Sequence, residues 1–405
     1  MHRRQTPAGP QLKKIGSPIS CLRPLPEDEI FGLQRAFAAD PRPEKLNGAI
    51  GVYTDETGKP FVLPVVRQAF EHLQASNFNY LPISGDPRFL ELTAKLVFGE
   101  QRYATLAPTL AAQGVSGGTN ALSLFGSLAK AADRRPTLII GEPTWENHKK
   151  IFDHLGFAWK IFPHLTAAYT FNLTAALAAL KTRRPSWVLL HGGATHNPTG
   201  VNPAQQEWQI LARTMAEYGH TACVDHAYTG LGDGLIEDSA PIHQLIAAGV
   251  PTFIAVSFSK NMTLYQHRAG ALLYAGKTAK EKTAVASHLE HLFRATNSNP
   301  PAAGELVVGK ILSEPQLRRQ WEGELAAMRS SINERRAQFI KLAGAPYGYL
   351  ARCRGLFSLL QLGIKRIRAL REQQGIYLLS SGRVNWGGIA SADLPRLAEV
   401  VRTAD

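Results

Sequence analysis

The stretch Thr252-Phe253-Ile254-Ala255-Val256-Ser257-Phe258-Ser259-Lys260-Asn261 sets the reading of the whole chain. Phe253 to Val256 is a short apolar run suited to a buried strand, and the chemistry begins where it ends. A lysine at the exit of such a strand loses solvation, which lowers its pKa and makes its amine a good imine former. Ser257, Ser259 and Arg268, the last eight residues past the lysine, supply two hydroxyls and a guanidinium of the kind that hold a phosphate. Alone, a lysine at a strand end is ordinarily a solvated surface residue. The neighbouring segments decide between the two.

Outward from that stretch, Thr137 to Ile140, Trp187 to His191, Thr221 to Asp225, Thr252 to Ser257 and Gly270 to Tyr274 read as strands. Amphipathic segments lie between them, such as Gln205 to Tyr218, which Pro203 helps to start. Strands spaced by helices imply a mainly parallel sheet covered on both faces. Ligands of such sheets bind at the carboxyl ends of the strands. His191, Asp225 and Lys260 each fall at or just past such an end. Beyond Asn299-Pro300-Pro301 the pattern turns to long helices, Pro315 to Leu342 being the clearest, with Gly355 to Leu362 and Arg383 to Trp386 as strands of a smaller domain. The segment before Tyr53 is expected to pack with it.

The fold class read from this order is α/β. A large domain at 61–310 carries a mostly parallel sheet sandwiched by helices. A smaller α+β domain is built from an N-terminal arm at 27–60 and a C-terminal part at 311–405. A basic leader precedes them at 1–26.

The chain has 405 residues, 44% of them hydrophobic and 19% charged, enough for a large core. It contains no apolar run long enough to span a bilayer, so no membrane partner is expected. Cys21, Cys223 and Cys353 are widely spaced and form no CxxC pair. That argues against a zinc site or disulfide framework, so no metal is expected and a reducing, cytoplasmic setting is the default. The net charge is +13, and five of the positive charges (Arg3, Arg4, Lys13, Lys14, Arg23) precede the first acidic residue, Glu27. The leader lacks an amphipathic pattern and is read as a flexible tail, with an organelle-targeting signal as the alternative. A second basic run, Lys365-Arg366-Ile367-Arg368 through Arg371, has helical spacing with Ile364, Ile367 and Leu370 on one side. It reads as a solvated helix face rather than a nucleic-acid site.

Three further segments carry chemistry. Ser116-Gly117-Gly118-Thr119-Asn120 is a glycine turn before the helical run Ala121 to Ala131, offering free N–H groups to a phosphate. It is neither a GxGxxG fingerprint nor a P-loop, which removes the case for a nicotinamide oxidoreductase. His196-Asn197-Pro198-Thr199-Gly200 reads as a tight loop that brings Asn197 to the rim. Val224-Asp225-His226-Ala227-Tyr228 puts a carboxylate at a strand end. A pyridine nitrogen stays protonated only beside an anion, and Tyr228 would meet the phenolic oxygen of such a ring.

With these segments in order, the chain resembles the aspartate and aromatic aminotransferases, class I of the fold-type I pyridoxal-phosphate enzymes. The likeness runs from about Asp28 to the C-terminus. It includes Ile50-Gly51-Val52-Tyr53, Asp55-Glu56-Thr57-Gly58-Lys59, Asn79-Tyr80-Leu81-Pro82, Pro143-Thr144-Trp145-Glu146-Asn147-His148, Arg294 through Asn299-Pro300-Pro301, and Gly382-Arg383-Val384-Asn385.

The resemblance implies the following roles. Lys260 forms the internal aldimine and shuttles the proton between Cα and C4′. Asp225 pairs with the pyridinium nitrogen, backed by His148 and His191. Asn197 and Tyr228 contact the phenolic oxygen, and Trp145 and Ala227 sandwich the ring. Gly118, Thr119, Ser257, Ser259 and Arg268 hold the phosphate, with Tyr80 reaching in from a second subunit of a homodimer. Gly51, Trp145, Asn197 and Arg383 form the substrate site, Arg383 forking onto the α-carboxylate. Arg294, also from the partner subunit, matches the arginine that reads a distal carboxylate.

Some positions depart from the family pattern. Thr54 and Pro60 stand near the substrate entrance where aspartate-specific members often have Lys and Thr, and His226 replaces a usual aromatic residue or Ser. One residue is added between His191 and His196. The expected activity is transamination between aspartate or glutamate and a 2-oxo acid, with aromatic substrates left open. Its alternatives are another fold-type I reaction (decarboxylation or β-elimination) and a non-catalytic domain on the same fold.

Overall fold

The computed structural model describes residues 17–73, 79–193 and 195–403. Arg3, Arg4, Lys13 and Lys14 of the leader lie outside the described residues. Eleven strands occur among those described: β1 (Leu46–Asn47), β2 (Leu110–Val115), β3 (Thr137–Glu142), β4 (Ala158–Pro163), β5 (Trp187–His191), β6 (Thr221–His226), β7 (Thr252–Ser257), β8 (Gly270–Ala275), β9 (Phe357–Leu359), β10 (Ile376–Tyr377) and β11 (Arg383–Asn385). Seven of them form one sheet in the order β2-β8-β7-β6-β5-β3-β4. Neighbours from β7 through β4 run parallel, and β8 alone is antiparallel, to β7 on one side and β2 on the other.

The central strands are apolar on both faces, as a helix-covered parallel sheet requires. Every residue of β7 is buried. Its alternate side chains enter two separate cores: Ile254 and Val256 pack in the cluster that holds Trp208, Leu211 and Met215. Phe253 and Ala255 pack in the cluster that holds Phe125, Phe152 and Phe293. Such a strand admits no charged residue until it leaves the sheet, which is where Lys260 stands. In register, His191 lies beside Asp225.

The terminal segments pair with one another. β1 pairs with β10 in parallel, and β9 with β11 antiparallel. The Asn385 amide donates to the carbonyls of Ile50 (2.6 Å) and Val52 (2.8 Å), fastening the 46–53 segment against β11. The long helix, Pro315–Ala343, joins the two regions. The indole N–H of its Trp321 donates to the Asn261 carbonyl (2.8 Å), directly behind Lys260. Arg335 of the same helix donates to the Gly387 carbonyl (3.2 Å) and pairs with Glu56. Among the described residues, no helix is long and apolar enough to cross a membrane.

Three details differ from expectation. β2 and β4 lie outside the segments that read as strands. β2 is Leu-Ala-Ala-Gln-Gly-Val, poor in strand formers, and β4 is an edge strand with Ala158, Ile161 and Pro163 exposed. The basic run does lie on a helix, Ile364–Gln374, with Ile367 and Leu370 buried. Ile364, however, is 59% exposed, because it opens the helix and no preceding turn covers it.

Candidate active site

Lys260 sits at the end of β7 with its ammonium 5.3 Å from the centre of the Tyr228 ring. The residue as a whole is part-buried. Burial nevertheless pushes its pKa down to about 8, with Arg268 and Arg383 pushing the same way and Asp225 opposing them. About a tenth of such an amine is neutral at pH 7, against roughly one part in three thousand for an ordinary lysine. The neutral amine is the nucleophile. In the cofactor-free protein, labelling of Lys260 by an amine-reactive aldehyde should therefore rise with pH through about 8 and level off above it. A midpoint above 10, followed by mass spectrometry of the Lys260 peptide, would contradict the enclosure described.

Asp225, one strand over, is buried. Burial raises its pKa, but the His148 hydrogen bond, with the Lys260 ammonium nearby, outweighs that, so the carboxyl is held below its ordinary value and ionised. A chain of hydrogen bonds runs from it: Asp225 Oδ2 to His148 Nε2 (3.1 Å), His148 Nδ1 to Thr144 Oγ1 (2.8 Å), and Thr144 Oγ1 to His191 Nε2 (3.0 Å). The Asn197 backbone N–H then donates to His191 Nδ1 (3.4 Å). That last donor fixes the sense of the others. His191 is neutral, its pKa pushed down to about 3 by burial, so its one proton lies on Nε2 and is donated to Thr144. The Thr144 hydroxyl then donates to His148 Nδ1, and His148 Nε2–H donates to Asp225. The two histidines expected behind Asp225 form a directed relay with Thr144 as its link, a residue of the 143–148 segment to which the sequence assigned no role.

A second pocket wall is built for an anion. The helix Gly118–Ala132 begins after Gly117 at φ +80° and has no side-chain cap. Its first N–H groups are left for a ligand. Glycine suits this position because a side chain rarely adopts that φ, and a Cβ would also crowd Arg268 Nη2 at 2.8 Å. Arg268 Nη1 donates to Ser259 Oγ (3.2 Å), and Ser257 Oγ donates to Ser259 Oγ (3.2 Å). Gly118, Ser257, Ser259 and Arg268 are therefore gathered at one point; Thr119 follows in the same first turn. Arg268 itself holds a positive φ of 53°, a conformation costly for a residue with a Cβ and kept at functional corners.

Opposite lies Arg383, buried on β11. Its Nη1 donates to Asn197 Oδ1 (3.1 Å) and its Nη2 to the Ala49 carbonyl (2.8 Å). Asn197 Nδ2 in turn donates to the Tyr228 hydroxyl (3.3 Å). The Arg383 guanidinium lies 4.3 Å from the centre of the Phe357 ring. Phe357 also explains Gly51, where a Cβ would come within 3.1 Å of the ring. No pattern in the sequence marks Phe357, because its ring serves Arg383 only after β9 and β11 pair. A cleft of about 230 Å³ is lined by Trp145, Glu146, Asn197 and Arg383. Trp145 stands edge-on to His148 at 5.3 Å, and Ala227 is buried after β6.

Tyr80 and Arg294 are not part of this cluster. Tyr80 is 86% exposed. Arg294 is exposed and donates to Ser298 Oγ (2.5 Å). Asn299 Nδ2 donates to the Leu81 carbonyl (2.7 Å), so the corner that follows Arg294 is tied to the segment bearing Tyr80. His226 is buried with Nε2 on Ser239 Oγ (3.2 Å), and a Cβ at Gly192 would meet its Nδ1 at 2.3 Å. The departure at 226 and the glycine at 192 are one packing arrangement. Thr54 and Pro60 form an isolated bridge across the Asp55–Lys59 turn.

Three needs are left unmet by the protein. Asp225 Oδ1 is buried without a hydrogen-bond partner. The Lys260 amine has no hydrogen bond among the described residues, and the helix end beside Arg268 has no cap. A phosphorylated pyridine aldehyde meets all three, with its ring nitrogen, aldehyde carbon and phosphate respectively. Pyridoxal phosphate fits these residues.

Residues 43–401 match the family model described as aminotransferase class I and II. The chain is 34% identical over 384 residues to an aspartate aminotransferase of Salmonella typhi, covering 93% of this chain and 97% of the relative. It is 34% identical over 392 residues to an aromatic-amino-acid aminotransferase of Paracoccus denitrificans, covering 94% and 98%. Its structure is similar to that of the aromatic-amino-acid aminotransferase of Burkholderia pseudomallei covalently bound to pyridoxal phosphate. The TM-score is 0.91 at 32% identity, over 96% of this chain and 99% of that one.

Proposed function

The chain belongs to the class I and II aminotransferases, and from that premise we propose how its residues divide the work and which substrates they take. It is a pyridoxal-phosphate-dependent transaminase with the fold-type I architecture. The bound cofactor supplies the electron sink that makes the weakly acidic substrate Cα–H removable. Lys260 would hold the cofactor's aldehyde carbon through its amine, and that amine, when free, would be the group placed to take and return the substrate Cα proton. Asp225 holds the ring nitrogen protonated, and the His148–Thr144–His191 relay keeps Asp225 an acceptor. Tyr228 and Asn197 take the phenolic oxygen. Gly118, Thr119, Ser257, Ser259 and Arg268 take the phosphate, and Trp145 and Ala227 cover the ring faces. Arg383 binds the substrate α-carboxylate, held in position by Asn197, the Ala49 carbonyl and the Phe357 ring.

The observation that carries this reading is the pairing of an ionised, half-partnered Asp225 with a Lys260 amine of lowered pKa on the neighbouring strand end. The donor is aspartate or glutamate and the acceptor a 2-oxo acid, with aromatic substrates the second reading. Support for the second comes from the aromatic-amino-acid aminotransferases among the similar proteins. The working unit is a homodimer in the cytoplasm. Tyr80 and Arg294, exposed on two tied segments, reach the partner's phosphate and distal-carboxylate positions. The large domain covers 61–310, and 27–60 joins 311–405 as the small one.

A panel of 2-oxo acids with aspartate and glutamate as donors, run on the native enzyme and on Arg294→Asp, tests the substrate assignment. Arg294→Asp should lower kcat/KM for dicarboxylates by roughly a hundredfold or more and leave aromatic substrates within a few-fold, since the reversed charge would repel the distal carboxylate that Arg294 is proposed to pair with, a like-charge cost of several kcal/mol. Equal losses on both classes would make Arg294 structural.

A further inference from the structure

Behind the relay stands a second pair of histidines that none of the roles above uses. His164 and His196 are both buried, and their rings stack at 3.7 Å with 17° between planes. The His196 ring also lies 4.1 Å from His191. His164 Nε2 donates to the Val201 carbonyl (2.9 Å), and His196 Nδ1 bonds Thr199 Oγ1 (2.8 Å). His164 thus grips the loop 196–201 at both ends: at its start through the His196 ring, and at its finish through Val201. Asn197 lies between those two points, one residue past the stack.

We propose that His164 is a positioning residue for substrate binding, clamping the loop 196–201 so that Asn197 stands where it can hold Arg383. The clamp rests on the reading of Asn197 and Arg383 as the substrate-carboxylate site. Two things make it a clamp rather than ordinary filling. Both contacts are directional, a stacked ring and a hydrogen bond, whereas an apolar side chain of similar size would not supply both. And the packing there is incomplete: a small cavity of about 30 Å³ borders His164, His191 and His196, together with Phe162, Phe171 and Trp208. Removing the His164 ring would enlarge that space and release both ends of the loop. Burial keeps His164 neutral, its pKa pushed down to about 4, so Nε2 carries the single proton and the bond to Val201 persists across the working pH range.

The test compares holoenzyme variants by calorimetric binding of succinate, a dicarboxylate that cannot react, and by the split between KM and kcat. His164→Ala should raise the succinate Kd and the amino-acid KM roughly tenfold while kcat changes less than about threefold, as expected of a displaced binding group. His164→Phe, which keeps the stack, and His164→Gln, which keeps a donor for Val201, should each restore part of the loss. A folded His164→Ala enzyme with native Kd and KM and only a lowered Tm overturns the proposal. If His164→Ala does not fold, the other two variants decide: a raised Kd in either supports the clamp, and native values in both overturn it. Asn197→Ala separates the two levels of argument. If it raises the succinate Kd and the His164 variants do not, the clamp fails and the site reading stands. If Asn197→Ala itself leaves Kd unchanged, both fail.

Discussion

Lys260→Ala is expected to lose turnover by roughly 10⁴-fold or more and still to bind pyridoxal phosphate. The two halves of that result have different origins. On the proposed reading, turnover would need an amine at the end of β7 twice, first as the cofactor's attachment and then as the base beside Cα. Nothing else nearby replaces it. Tyr228 is the neighbouring group, 5.3 Å from the ammonium, and burial pushes its phenol well above the range in which it could act as a base. Binding survives because the other anchors do not pass through Lys260. Asp225 sits on β6, the uncapped helix start follows β2, and Arg268 precedes β8. Removing the ammonium also removes one of the positive groups that lower the Asp225 pKa, though the His148 hydrogen bond, the larger influence, remains. The measurements are kcat under saturating donor and acceptor, and cofactor retention by absorbance after gel filtration. Turnover within tenfold of the native enzyme would remove Lys260 from the mechanism.

The chemistry of this site is legible in the sequence to the extent that it is local. Strand ends and the turns after them are short-range features, so the order of residues along the chain is enough to put His191, Asp225 and Lys260 on one rim. The Ser257–Ser259–Arg268 group and the glycine turn at 116–118 are legible for the same reason. What pairs across long separations is not. Phe357 reaches Arg383 through the β9–β11 ladder, and Thr144 joins His148 to His191 only because β3 and β5 are neighbours in the sheet. His164 and His196 stack from separate segments that no periodicity connects. The edge strands β2 and β4 escape because strand propensity is weak where one side of the ladder is open or the side chains are small. Residues expected to act in a second subunit form a different case. Their exposure fits that role, and only an assembled dimer tests it.

Asp225→Asn should lower kcat by roughly 10²- to 10⁴-fold, the range that corresponds to about 3–5 kcal/mol for removing one partner of a buried charge pair. The substitution conserves shape almost completely, so the loss reports charge. An amide cannot hold a proton on the ring nitrogen, and the electron sink weakens with it. The relay adds a second penalty. His148 Nε2–H is directed at Asp225 Oδ2 because every bond back to the Asn197 N–H runs in one sense. The amide introduced by Asp225→Asn must therefore turn its oxygen to His148, which leaves its N–H₂ facing the ring nitrogen. That arrangement accepts a neutral pyridine and disfavours a protonated one. Since Asp225 is held below its ordinary pKa, the native enzyme should show no loss of activity from this group between pH 5 and 8, whereas the variant is impaired throughout. Steady-state kcat across that range, with the cofactor absorbance recorded in parallel, checks both claims. An Asp225→Asn enzyme within tenfold of native kcat and with an unaltered spectrum would show that the carboxylate charge is not what this site uses.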